Sequence, residues 1–149
     1  MQEREPGVRV AAIQMNSGAE LAKNLQLVGQ LLSDAALDGC TLAVLPENFA
    51  LMPERGRDKS KHAEQPGTGP IQAFVSECAA RHGMWIIAGS MPLESPEPER
   101  VYGACLVVDD HGETRAMYRK IHLFDVDLPD REESCLLYTS PSPRDQREH

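Results

Sequence analysis

The chain lacks the features that mark several function classes. Its four cysteines, Cys40, Cys78, Cys105 and Cys135, form no C-x-x-C pair, and neither they nor the five histidines fall at metal-ligand spacing. No metal site is expected, and the cysteines suit a reducing cytosol in which thiols act as small buried hydrophobes. Basic residues are scattered singly, and Asp plus Glu (23) outnumber Lys plus Arg (15), giving a formal charge of -8. Without a basic patch to track phosphates, nucleic acid is not an expected partner. No apolar run approaches the roughly 20 residues a membrane span needs. The opening "MQEREPGVRV" is charged where a signal peptide is apolar, so the expectation is a cytoplasmic protein with no membrane partner. There is no G-x-G-x-x-G to support a nucleotide-binding domain. "PGTGP" does not replace it: no strand immediately precedes it, and its prolines remove donors that a phosphate cradle needs.

What is present is an alternation of short apolar strands and amphipathic stretches. "VRVAAIQM" reads as a strand buried on both faces. Leu21, Leu25, Val28, Leu32 and Ala35 then fall at helical spacing, in a helix that ends near Gly39. "TLAVLP" is a second strand, which cannot run past Pro46 as a central one. Thr68 or Gly69 can cap a second helix with Pro70 in its first turn, and the apolar stripe of that helix is Ile71, Phe74, Val75, Cys78 and Ala79. "MWIIAGSM" is a third strand, and "EPERVYGACLVVDDHGETRAMYRKIHLF" reads as a hairpin turning at "DDHG". The order predicts an α/β fold with a mixed sheet and helices packed on it. A chain of 149 residues can bury roughly 68–70% of its unfolded surface as one domain, though half of a larger fold is equally allowed.

Two residues stand out as candidates for chemistry. Glu47, in "LAVLPENFALM", follows a strand that ends in proline, so the backbone leaves the sheet there and presents the acid at its edge. Leu45, Phe49 and Leu51 could wall the carboxylate, desolvate its charged form and make it a proton acceptor and donor near neutrality. The plainer reading is an N-cap or loop acid facing water. In "YRKIHLFD", an extended backbone puts Lys120 and His122 on one face and Ile121 and Leu123 on the other. Lys120 would then be held against a packed scaffold, where it could stabilise an oxyanion, or it is simply a solvated lysine. His122 could orient a neighbour or serve as a hydrogen-bonded structural histidine. "LESPEPER" reads as a solvated loop.

Taken in order, "VAAIQMNSG", "LAVLPENFALM", "MWIIAGSMPL" and "YRKIHLFDVDLP" resemble the N-terminal half of the nitrilase superfamily of carbon-nitrogen hydrolases, and within it the Nit-type amidases. The resemblance runs from about Val8 to Ser134. It implies a four-layer α-β-β-α sandwich of which this chain holds the N-terminal half, leaving apolar sheet surface uncovered. It also implies a Glu-Lys-Cys catalytic set, with Glu47 as general base and acid and Lys120 as oxyanion stabiliser, acting on a small-molecule amide without a cofactor. Full-length relatives of this kind commonly form homo-oligomers.

The nucleophilic cysteine of that set is expected well beyond the lysine, in a "C-Y-D" or similar motif, and the sequence offers no match. A second glutamate expected shortly after Ser134 also has no clear counterpart. Cys40, Cys78 and Cys105 are better explained as packing, and Cys135 begins a stretch, "CLLYTSPSPRDQREH", without usable periodicity. That stretch reads either as a disordered tail or, in preference, as a translated sequencing or cloning adapter joined near Ser134. The expected organisation is an N-terminal extension over 1–7, a partial hydrolase domain over 8–134 and a non-native or disordered tail over 135–149. The rival expectation is a catalytically inactive chain that at most associates with a full-length partner.

Overall fold

A computed structural model describes residues 7–53, 56–97 and 100–121. Five strands form one sheet in the order β1-β2-β3-β4-β5: β1 (Val10–Ala12), β2 (Leu42–Val44), β3 (Trp85–Glu94), β4 (Val101–Val108) and β5 (Thr114–Arg119). β1, β2 and β3 are parallel, so each step between them needs a crossover. Helices α1 (Leu21–Leu37) and α2 (Pro70–His82) lie within those crossovers. β3, β4 and β5 then pair antiparallel as a meander, with Asp109–Gly112 as the turn foreseen at "DDHG".

Both helices present their apolar stripes to the same side. Val28, Leu32 and Ala35 of α1 and Ile71, Val75, Cys78 and Ala79 of α2 join Ala43, Ile86, Ala88, Ala104, Leu106 and Val108 of the sheet in one core. At roughly 1.5–3 kcal/mol for each large aliphatic or aromatic side chain fully buried, this shared face holds the two layers together. α2 begins where expected, with Gly69 as N-cap and Pro70 in the first turn.

The opposite face of the sheet is apolar, and no described helix covers it. Residues paired across the strands share a face, so Val10, Leu42, Trp85, Ile87, Val107 and Tyr118 lie on this side. Val10 is 50% exposed, Trp85 39% and Tyr118 56%, and the other three are half-buried. The expectation of a first strand buried on both faces is therefore corrected. β1 is a three-residue edge strand, and its pattern is exposed, intermediate, exposed, because helices cover only one side of it. The described residues form two layers, helix on sheet. No described helix is long and apolar enough to cross a membrane.

Candidate functional site

Glu47 and Lys120 leave the same edge of the sheet. β5 runs in the same direction as β2, since two antiparallel steps separate it from the parallel trio. The chain therefore exits both strands at their common C-terminal edge. Lys120 is anchored just past β5 by its N–H, which donates to the Gly103 carbonyl at 2.8 Å, and its Nζ reaches Glu47 Oε1 at 2.8 Å. The lysine side chain is 29% exposed and the glutamate 56%.

The turn that carries Glu47 is built by close approach to β3. The Leu45 N–H donates to the Ile87 carbonyl and the Asn48 N–H to the Ser90 carbonyl, each at 2.9 Å. Between these anchors the chain passes directly over Gly89. A Cβ there would stand 2.3 Å from the Leu45 carbonyl oxygen and 2.4 Å from that of Pro46, so only glycine admits the crossing. The register of β3 against β4 shifts between Ala88 and Met91, at the same place.

Beyond Glu47 the segment is pinned from the other side by Asn24 of α1. Its carboxamide donates to the carbonyls of Gly18 (2.8 Å) and Ala50 (2.9 Å) and accepts from the Gly18 N–H (2.9 Å). The Met52 N–H also bonds the Gly18 carbonyl at 2.9 Å. A buried asparagine with these three bonds staples the loop after β1 to the loop after β2.

The apolar enclosure expected around Glu47 is not there. Leu45, Phe49 and Leu51 are at most 2% exposed, Leu45 and Phe49 as members of the core, while the Glu47 side chain is 56% exposed. Of the two readings offered by the sequence, an acid facing water is the correct one for its solvation, although its partner is Lys120. His122, Leu123, Ser134 and Cys135 lie outside the described residues, as do the proposed boundary and tail.

Cys78 is buried in the α1–α2 core, Cys105 is half-buried on the open sheet face and Cys40 is half-buried after α1. Burial pushes the Cys78 thiol up, although Arg81 works against it and Glu77 with it, and burial also raises Cys105. A raised thiol is a poor nucleophile at neutral pH. Among the described residues no group of three His, Cys, Asp or Glu could hold a metal ion.

Glu64 has an arrangement that sequence reasoning missed. It is 6% exposed, and its carboxylate accepts from the N–H groups of Ile71 (2.5 Å) and Gln72 (3.1 Å) and from Gln72 Nε2 (3.1 Å). It thereby satisfies the free donors at the start of α2 and meets the positive end of the helix dipole. Gly69, at φ +119, leaves room for it: a Cβ there would fall 2.3 Å from the Glu64 side chain. The signal was present in the absence of a side-chain cap at Gly69, but nothing local identified which acid would fill the role.

The chain is similar to proteins of known family. A carbon-nitrogen hydrolase family model matches residues 9–146. A deaminated glutathione amidase of Yersinia enterocolitica is 41% identical over 122 residues, covering 81% of this chain and 42% of that protein. An omega-amidase of Danio rerio is 33% identical over 121 residues, covering 81% and 42%. Among solved structures, the NitFhit protein of Caenorhabditis elegans superposes with a TM-score of 0.76 at 26% identity, covering 89% of this chain and 33% of that one. This chain thus spans less than half the length of the curated relatives it matches. The family model spans most of the chain, and the chain belongs to the carbon-nitrogen hydrolase family.

Proposed function

We propose that this chain supplies the base and the oxyanion-binding lysine of a thiol amidase acting on small linear amides. The observation that carries the proposal is the contact of Glu47 Oε1 with Lys120 Nζ at 2.8 Å across the sheet edge, in a family member whose motifs surround both residues. Glu47 takes the proton of a cysteine thiol as its sulfur forms a bond to the amide carbon, and the Lys120 ammonium balances charge on the carbonyl oxygen. Collapse breaks the carbon-nitrogen bond, and Glu47 returns the proton to departing ammonia. Water, deprotonated by Glu47, then cleaves the thioester to carboxylate and free thiol. No cofactor takes part in these steps.

The family resemblance implies a nucleophilic cysteine beyond Lys120, and Cys78, buried in the helix–sheet core, and Cys105, within β4, are read as packing. The substrate class is the ω-amides of 2-oxo acids, α-ketoglutaramate or deaminated glutathione among them. Its support is the relatives named deaminated glutathione amidase and omega-amidase. A cytosolic location and a homo-oligomeric full-length form complete this reading.

A second reading is favoured by the open sheet face: a chain without chemistry of its own that associates with a full-length partner. Fusion of residues 8–134 to the complementary part of the Yersinia enterocolitica relative separates the two. The expected result is ammonia release from both amides, reduced by about 10²–10⁴ in Glu47→Gln, with none from the 149-residue chain alone. A folded fusion that releases no ammonia, or an unchanged rate in Glu47→Gln, overturns the amidase reading.

A further inference from the structure

Asn48, immediately after Glu47, holds a left-handed backbone at φ +56, a region that asparagine tolerates better than most residues. Its backbone N–H and carbonyl and its side-chain oxygen are all bonded. The N–H donates to the Ser90 carbonyl at 2.9 Å, the carbonyl accepts from the Leu51 N–H at 3.2 Å, and the carboxamide Oδ1 accepts from Lys59 Nζ at 3.0 Å. Glu47 itself is more than half exposed, so the direction of its carboxylate depends on how firmly the next residue is held.

Lys59 comes from an independently fixed segment. It lies in the short 3-10 helix Gly56–His62, which leads directly into Glu64. There the Glu64 N–H donates to the Pro92 carbonyl (3.2 Å) and the Glu64 carbonyl accepts from the Glu94 N–H (2.9 Å). The buried Glu64 carboxylate grips the start of α2 as well. The lysine is thus carried by a strut attached to β3 and α2, and it touches the Glu47 turn at its least favourable backbone position.

We propose that Lys59 is a positioning residue: its ammonium, bonded to the Asn48 carboxamide, fixes the left-handed turn that aims Glu47 at Lys120. This rests on reading Glu47 and Lys120 as the working pair. The reference is the side-chain NMR signal of Lys120 in the full 149-residue chain, compared with Glu47→Gln, where the ion pair is broken. Lys59→Met should move the Lys120 signal most of the way to its Glu47→Gln position, and Lys59→Arg should return it. Asn48→Gly, which keeps access to positive φ but removes the carboxamide, should reproduce Lys59→Met and decides the matter if that variant does not fold. A Lys120 signal unmoved by loss of either group overturns the proposal. So does a movement in Lys59→Met that arginine does not reverse and Asn48→Gly does not reproduce, since that is general loosening. If Glu47→Gln itself leaves Lys120 unmoved, the failure lies with the Glu47–Lys120 pair and not with Lys59.

Discussion

Glu47 and Lys120 stand 2.8 Å apart although they are 73 residues apart in sequence. One comes from the parallel half of the sheet and the other from the meander, and the glycine at position 89 lets the first turn cross toward the second. The contact is exposed on the glutamate side and partly so on the lysine side. Ion pairs in such surroundings contribute little to folding.

Function and stability should therefore separate at this pair. Glu47→Gln and Lys120→Met are each expected to change the unfolding free energy by less than about 1 kcal/mol. In the fused enzyme each should cost at least about 10² in rate. Urea denaturation beside an ammonia assay checks this, and a stability loss of several kcal/mol in either variant would contradict it.

Gly89→Ala should do the reverse and damage the scaffold first. The added methyl meets the backbone carbonyls of Leu45 and Pro46, which cannot swing aside as a side-chain tip would. Overpacking of this kind costs about 1–3 kcal/mol. The denaturation midpoint should fall, and the Lys120 side-chain signal should shift toward that of a broken pair; an unchanged midpoint contradicts the close approach.

The open sheet face should make the isolated chain sticky. Val10, Trp85 and Tyr118 are exposed on one surface, and contiguous apolar patches promote association. Binding of a hydrophobic dye and elution ahead of a monomer are expected. Val10→Lys with Tyr118→Lys should weaken both while leaving the thermal midpoint within a few degrees. A dye-negative monomer would show that the face needs no cover.

Asp109 gives the fold a pH dependence at its acidic end. Burial pushes its carboxyl up, but the Glu113 N–H, the Arg115 side chain and the His111 N–H overcome that and hold it below the ordinary carboxylate range. A carboxyl lowered by folding contributes stability that is fully present above its unfolded pKa of about 3.9 and is lost as pH falls through the folded value. Asp109→Asn should lower the thermal midpoint at pH 7, and the difference should shrink on acidification below about pH 4. A difference that is constant with pH would show that the charge does not matter.

Much of this architecture is legible in the sequence because its signals are local. Pro46 ends β2, Pro70 starts α2 and "DDHG" turns the hairpin, each through the backbone limits of one or a few residues. Local pattern marked Glu47 and Lys120 only as candidates, and the family resemblance is what implies their roles. What was not legible depends on tertiary contact. Asn24, Glu64 and Gly89 look like an ordinary helix residue, a loop acid and a strand glycine until their distant partners are known. For a related reason, sequence neighbours do not decide the solvation of Glu47. Leu45, Phe49 and Leu51 flank it in sequence, but all three are buried while the acid stays more than half exposed.

The mixed topology also sets an order of assembly. β3, β4 and β5 are consecutive and antiparallel, so their contacts close over short stretches of chain, whereas β1 and β2 must wait for crossovers that include whole helices. Sequence-local pairing forms faster, so Lys120 is expected to reach its final place on the early meander while the Glu47 turn is still undocked. The ion pair then marks completion of folding, and in stopped-flow refolding its NMR or fluorescence-labelled signature should appear after the meander's amide protection and not with it.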